Sequence, residues 1–172
     1  MTGNFPASLA LTLRYEGGYC NIAGDAGGAT NMGVTQATDN AWRTAHGLPT
    51  HDVKGLTQDE VAAIYHQNYW DKCHCDELPH PLDIAVMDAA VNSGPAQSIK
   101  WMQKALGVDV DGGLGPHTLA AATACDGVAI AKAVIDEREA FDRWLAANKG
   151  DGQFLAGWLH RLTDLRKVCG IV

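Results

Sequence analysis

Glu16 stands where an apolar, helix-compatible segment meets two consecutive glycines, Gly17 and Gly18, which end the helix at that point. The stretch that follows is rich in Gly, Asn, Asp and Thr, and it carries a second carboxyl group on Asp25 and the hydroxyl of Thr30. Hydrolysis of a glycosidic bond uses two carboxyl groups that flank the bond, one of which donates a proton to the leaving oxygen. The residue types around Glu16 therefore indicate glycosidic bond cleavage.

Each of these residues also has a structural interpretation. Glu16 is either a general acid sheltered from bulk water or a solvated residue at a helix C-terminus, where the helix dipole is mildly unfavourable for a carboxylate. Asp25 is a base that activates water, a stabiliser of positive charge on the sugar, or an ordinary turn residue. Thr30 either positions a water molecule or forms hydrogen bonds within a hairpin, and Thr35 is the alternative for the first role.

The elements that must position Glu16 are mainly helical. The hydrophobic pattern predicts six or more helices and, between residues 19 and 34, one small β-hairpin near the N-terminus, which gives a mainly α fold of the α+β class. Thr57 and Glu60 form a capping box at the start of one helix, and Pro95 and Gly107 bracket another. The longer predicted helices span residues 7–15, 34 to near 47, 57–69, 82–91, 95–106, 128–147 and 153–168.

The composition bounds the class of protein. The chain has 172 residues, of which 47% are hydrophobic, and this suffices for one compact domain with a real core. The net charge of −7 argues against nucleic acid as a partner, because such partners require a basic face. No apolar run approaches the roughly 18 residues of a membrane span, and the N-terminus lacks the features of a secretory signal. We therefore expect no stable membrane insertion and accumulation in the cytoplasm.

The metal-binding residue types do not form a recognised metal site. The five cysteines are odd in number and irregularly spaced, so they do not indicate a disulfide framework. Cys73 and Cys75 flank His74, but no second Cys/His pair lies at zinc-finger spacing. Asp109 and Asp111 lie in a glycine-rich loop without the ligand count and distal glutamate of a calcium loop. We expect reduced thiols, no metal and no cofactor.

Several segments, in order, carry a family resemblance. The chain has Glu-Gly-Gly-Tyr at 16–19 and Asp-Ala-Gly-Gly-Ala-Thr-Asn-Met-Gly-Val-Thr at 25–35, which together resemble the N-terminal signature of glycoside hydrolase family 108. The aromatic helix end at 65–71 and the apolar segment at 83–95 resemble the next elements of that family. Residues 101–118 resemble its C-terminal portion, a predicted peptidoglycan-binding module.

Members of this family are N-acetylmuramidases with a lysozyme-like fold, and the resemblance covers residues 9–166. It implies a lysozyme-like catalytic region over residues 1–94 and a helical, peptidoglycan-binding-like region over residues 95–172. It also implies that Glu16, in the Glu-Gly-Gly motif, is the catalytic glutamate.

The phage-type lysozymes use a related Glu–Asp–Thr set, which implies roles for further residues. Glu16 and Asp25 match that arrangement. In the sequence, Thr30 lies one residue closer to Asp25 than the phage-type spacing would place the threonine, and Thr35 lies further along. Thr30 is therefore preferred as the threonine of the set, and Thr35 stays open. Saccharides bind through aromatic faces and polar side chains, and on this basis the predicted sugar-binding residues are Tyr19, Asn31, Thr35, Tyr69 and Asn92.

The function that the resemblance implies is hydrolysis of the β-1,4 bond between N-acetylmuramic acid and N-acetylglucosamine in peptidoglycan. Two alternatives stay open: a lytic transglycosylase, which works with one glutamate, and a non-catalytic peptidoglycan-binding protein. A carboxyl separation of roughly 5–5.5 Å would predict retention at the anomeric carbon, and about 6.5–9.5 Å would predict inversion. We expect a monomer that reaches the periplasm or cell wall through a holin-like pore or an export system.

Overall fold

The computed structural model describes residues 3–21 and 28–171. Within these residues the chain is mainly helical, with one two-stranded antiparallel hairpin, β1 (Thr30–Asn31) and β2 (Val34–Thr35). The α-helices of this part are α1 Phe5–Tyr15, α2 Gln36–Ala45, α3 Gln58–Tyr65, α4 Leu82–Ser93, α5 Pro95–Leu106, α6 Pro116–Thr123, α7 Gly127–Asn148 and α8 Leu155–Val168. Short 3-10 turns lie at Val53–Gly55, Asp71–Cys73, Cys75–Glu77 and Gly152–Phe154, and a π-helical turn spans His66–Trp70.

Local capping signals place several helix ends where the sequence predicts them. The capping box is present, since the Thr57 side chain accepts a hydrogen bond from the Glu60 amide and the Glu60 carboxylate accepts one from the Thr57 amide. Pro95 is the first residue of α5, and Gly107 ends it with a left-handed φ of 69°. These signals depend on a few adjacent residues, which is why they can be read from the sequence.

Several predicted helix ends differ from the observed ones, and two of these differences have a clear local cause. The helix predicted from residue 34 begins instead at Gln36, because Val34 and Thr35 form β2 and the Thr35 hydroxyl then caps α2 by accepting from the Thr38 amide. The helix predicted to reach residue 69 leaves α-helical geometry after Tyr65 and continues as the π-helical turn.

The chain groups into two compact units. The hairpin unit is Leu9–Asn68, and the helical unit is Met1–Ser8 together with Tyr69–Val172. This grouping differs from the predicted division between residues 94 and 95, which stays a prediction.

The core of the helical unit is built around α4, which packs against α5 and α7. Every residue of α4 from Leu82 to Ala90 is buried, so the one acidic residue in the middle of the helix, Asp88, needs charge partners. Arg138 of α7 and Arg161 of α8 both bind its carboxylate, the latter with Nη2 2.8 Å from Oδ1. Burial alone would raise the pKa of Asp88, but the two arginine charges outweigh it and hold that pKa below its ordinary value.

Among the residues that the structure describes, none of the helices combines the length and the apolar character of a membrane span. Helices α6 and α7 taken together have the length and apolar composition of a membrane span, but the chain bends by 117° at the break between them.

Candidate active site

Glu16 follows directly on the last residue of α1. Its amide nitrogen still bonds to the Thr12 carbonyl at 3.2 Å, so the helical path ends on the residue that carries the carboxyl group. Cys20, four residues further, pairs with Thr30 through two backbone hydrogen bonds of 2.8 Å. The chain that leaves Glu16 is thereby fastened to β1, and Glu16 is half-buried rather than fully solvated.

The hairpin turn brings a close approach to the Glu16 carboxylate. Asn31 pairs with Val34, and the two residues between them, Met32 and Gly33, have φ values of 49° and 76°. Positive φ at both central positions is the geometry of a tight type I′ hairpin, in which glycine is favoured. A β-carbon added to Gly33 would overlap with the Tyr65 hydroxyl and would lie 2.7 Å from Glu16 Oε2. The carboxylate and the phenol therefore both lie against this turn.

Tyr65 joins α3 to this turn. Its side chain is buried, and its hydroxyl donates a hydrogen bond of 3.2 Å to the Met32 carbonyl. This contact spans 33 residues of sequence, and the helical periodicity of α3 identifies Tyr65 only as a core residue. We therefore add Tyr65 and Gly33 to the candidate site. The signals that could have found them are the Asn-Met-Gly turn and the tyrosine at the helix end.

The predicted polar residues of the hairpin make mainly local contacts. The Thr30 hydroxyl donates to the Gly28 carbonyl at 3.4 Å, and the Thr35 oxygen lies 2.9 Å from the Thr38 hydroxyl at the N-terminus of α2. The Asn31 amide nitrogen is buried and donates to the Val53 carbonyl at 3.1 Å, which holds β1 against the 3-10 turn. These contacts fix the hairpin, and the catalytic and sugar-binding roles of the three residues stay predictions.

The structure does not place the remaining predicted site residues together on the hairpin. Tyr19 is 41% exposed, and the Lys54 ammonium lies 5.4 Å from the centre of its ring. Tyr69 and Asn92 belong to the helical unit, where the Asn92 amide donates to the Asp88 carbonyl at 2.8 Å. Asp25 lies outside the described residues.

The Cys-His-Cys segment places its side chains in unlike environments. Cys73 and Cys75 are buried, whereas His74 is exposed and its ring nitrogen lies 2.7 Å from the Glu77 carboxylate. Burial, together with the neighbouring Cys73, raises the pKa of the Cys75 thiol well above its ordinary value. A thiol that keeps its proton is a weak metal ligand.

The segment that contains Glu16 and the hairpin matches the model of a known protein family. The family model of glycosyl hydrolase 108 matches residues 9–94, half of the chain, which include Glu16, Gly33 and Tyr65. The chain belongs to the glycosyl hydrolase 108 family. The membership and the lysozyme-like, mainly α fold class predicted from the sequence are therefore confirmed.

The remainder of this glycosyl hydrolase matches a second family model. Residues 97–163 match the family described as predicted peptidoglycan domain. Among solved structures, the chain is similar to SagA of Brucella abortus, with 39% sequence identity over 96% of this chain and 92% of that one, and a TM-score of 0.78. No curated protein sequence matches the chain. The chain is thus a glycoside hydrolase of peptidoglycan.

Proposed function

We propose that this glycosyl hydrolase 108 chain is an N-acetylmuramidase that cleaves the β-1,4 bond between N-acetylmuramic acid and N-acetylglucosamine. In this proposal Glu16 is the general acid. The observation that carries it is the position of Glu16, half-buried at the end of α1, with its carboxylate against Gly33 at the hairpin turn. A carboxyl group fixed at a helix end by a tight turn can deliver a proton from a constant position.

The proposed reaction begins when the Glu16 carboxyl group donates its proton to the oxygen that bridges the two sugars. As the bond breaks, positive charge develops on the sugar ring, and a second group must stabilise that charge or activate the attacking water. We assign this second role to Asp25, with the Thr30 hydroxyl positioning the water. Thr35 is the less favoured alternative, because its oxygen already caps α2.

Sugar binding in the hairpin unit is proposed for Tyr19. Its ring is partly exposed and is fixed on one side by the Lys54 ammonium. An aromatic face held in this way can pack against the C–H groups of a sugar ring. The cytoplasmic accumulation, the monomeric state and the holin-like or export route to the wall stay predictions from the sequence.

The bond that is cleaved can be identified from the product ends. Purified peptidoglycan is digested with the full chain, the new ends are reduced with borohydride, and the fragments are analysed by mass spectrometry. The proposal predicts reduced N-acetylmuramic acid at the new ends. Reduced N-acetylglucosamine would show that the other glycosidic bond is cleaved, and 1,6-anhydro ends would identify a lytic transglycosylase. Either of these two results would overturn the muramidase assignment.

A further inference from the structure

The helical unit contains a groove of about 330 Å³ that is separate in sequence from the Glu16 motif. Four helices contribute its lining: the end of α4, the start of α5, the second half of α7 and the first turn of α8. The lining residues are Asn92, Ser93, Gln97, Arg138, Phe141, Asp142, Leu145 and Trp158. All but the first two lie within residues 97–163, the part that matches the peptidoglycan domain.

Two aromatic side chains form apolar walls of this groove. Phe141 and Trp158 are both half-buried, so each presents part of its ring to the groove. Each ring also contacts another, since Trp101 lies 5.6 Å from Phe141 and Phe154 lies 6.0 Å from Trp158, measured between ring centres. Supported aromatic rings that keep an exposed face are common in binding sites, because they supply contact area at a small cost in side-chain entropy.

Asp142 gives the groove a carboxylate oxygen that has no hydrogen-bond partner among the residues that the structure describes. The residue is 8% exposed, and its Oδ2 atom accepts no hydrogen bond from the described residues. The nearest charged atom is Arg138 Nε, 3.9 Å away, which is too far for a hydrogen bond. The Arg138 guanidinium is itself held by Asp88. Because buried polar atoms are nearly always satisfied in folded proteins, an unsatisfied oxygen beside a groove points to a donor on a ligand.

The charge of the groove favours a neutral ligand. Burial raises the pKa of Asp142, more than the Arg138 charge lowers it, so the carboxyl group gains a proton more readily than usual. Arg138, the one cation among the lining residues, is already paired with Asp88. The lining therefore offers no unpaired cation for the carboxylates of a peptide. It does offer aromatic faces together with the amide side chains of Asn92 and Gln97.

We infer that this groove binds the glycan strand of peptidoglycan, with an N-acetylhexosamine ring seated between Phe141 and Trp158 and its amide or a hydroxyl group donating to Asp142. The inference rests on the proposed function, since it takes peptidoglycan as the substrate. It goes beyond that function by assigning a binding site and its residues to the region that matches the peptidoglycan domain.

The test measures binding without hydrolysis, in the full chain with Glu16→Gln. The probes are purified sacculi in a pelleting assay, and glycan strands freed of their stem peptides in calorimetric titration. Trp158→Leu keeps an apolar side chain against Phe154 but removes the indole face, and Gln97→Ala shortens a half-buried groove residue. We expect each to weaken binding of both probes by about tenfold, as for residues at the centre of a binding site.

The matched control is Val128→Ala, which truncates an apolar side chain of α7 that is 50% exposed and does not line the groove. We expect it to leave binding unchanged. Melting temperatures of all variants are compared first, and Gln97→Ala serves alone if Trp158→Leu does not fold. Unchanged binding of the folded groove variants would overturn the inference. So would binding to intact sacculi that is lost on peptide-free strands, because the ligand would then be the peptide.

Failure of this inference can be told apart from failure of the proposed function. The binding assays use chains that lack the Glu16 carboxyl group, whereas the muramidase assignment is tested by the product ends that the unaltered chain releases. Groove variants that bind normally, while the unaltered chain releases muramic acid ends, would overturn the groove alone.

Discussion

Gly33→Ala tests whether the hairpin turn holds the Glu16 carboxylate in place. An alanine at φ 76° costs about 1–2 kcal/mol of backbone strain, of which about 0.4–1 kcal/mol is offset because the unfolded chain loses freedom. The new methyl group would also overlap with the Tyr65 hydroxyl and press on Glu16 Oε2 at 2.7 Å. Since Tyr65 is buried, the phenol has little room to move. We expect the overlap to lower the free energy of unfolding by a further amount of about 1–3 kcal/mol.

Gly47→Ala is the matched control for this variant. Gly47 has a similar φ of 67°, but a β-carbon added there meets nothing within 4 Å. Both variants therefore carry the same backbone strain, and only the variant at Gly33 disturbs the site. At about 2–4 °C of melting temperature per kcal/mol for a chain of this size, we expect Gly33→Ala to melt several degrees below Gly47→Ala.

The activity of the two variants should differ more than their stability. A displacement of a catalytic group by about 1 Å can cost about 100-fold in rate, so we expect a loss of that order for Gly33→Ala and none for Gly47→Ala. The assay is the release of reducing ends from purified peptidoglycan at a temperature where both variants are folded. Adding Tyr65→Phe to Gly33→Ala removes one of the two overlapping atoms and should restore part of the stability. Equal stability and equal activity of the two alanine variants would refute this account of the turn.

Two further predictions concern the groups that support the site and the core. Tyr65→Phe removes the hydroxyl that donates to the Met32 carbonyl. We expect the free energy of unfolding, measured by thermal denaturation, to fall by about 0.5–1.5 kcal/mol, and the rate of peptidoglycan hydrolysis to fall about tenfold. Full activity of this variant would argue against a positioning role for Tyr65. Asp88→Asn leaves two buried arginines short of their counter-charge, which should cost about 3–5 kcal/mol. Glu137→Gln, at the exposed pair with Lys104, should by comparison cost less than about 1 kcal/mol. Because the pKa of Asp88 is lowered in the folded state, its stabilisation is complete above the ordinary carboxyl pKa of about 3.9 and is lost as the pH falls through the lowered value. The difference between the wild-type chain and Asp88→Asn should therefore shrink below about pH 4, and a difference that grows there would contradict the assignment.

Local signals in the sequence predict much of the helical framework. Pro95 and Gly107 bracket α5 as expected, and the capping box at Thr57 starts α3. The sequence pattern predicts a start of α2 two residues before the observed one, because a strand of two residues has too little alternation to be recognised and Thr35 is both the end of the strand and the cap of the helix.

Such local signals do not predict contacts between residues that are far apart in the sequence. The sequence identifies Glu16 as the candidate acid, but it gives no sign that the Tyr65 hydroxyl reaches the turn 33 residues away. The apolar pattern of α4 likewise predicts burial without showing that Asp88 pairs with arginines 50 and 73 residues further along the chain. These pairings depend on how the helices pack, which periodicity does not encode.

The central claim, that Glu16 is the general acid, is tested most directly by Glu16→Gln. The amide keeps the shape of the side chain but cannot donate the proton, and general acid catalysis contributes about 10²–10⁴-fold in rate. A carboxylate control is Glu77→Gln, which removes an exposed partner of His74 and should leave the rate unchanged. The measurement is the initial rate of reducing-end release from purified peptidoglycan by folded protein. We predict a loss of at least about 100-fold for Glu16→Gln, and a rate equal to that of Glu77→Gln would contradict the claim.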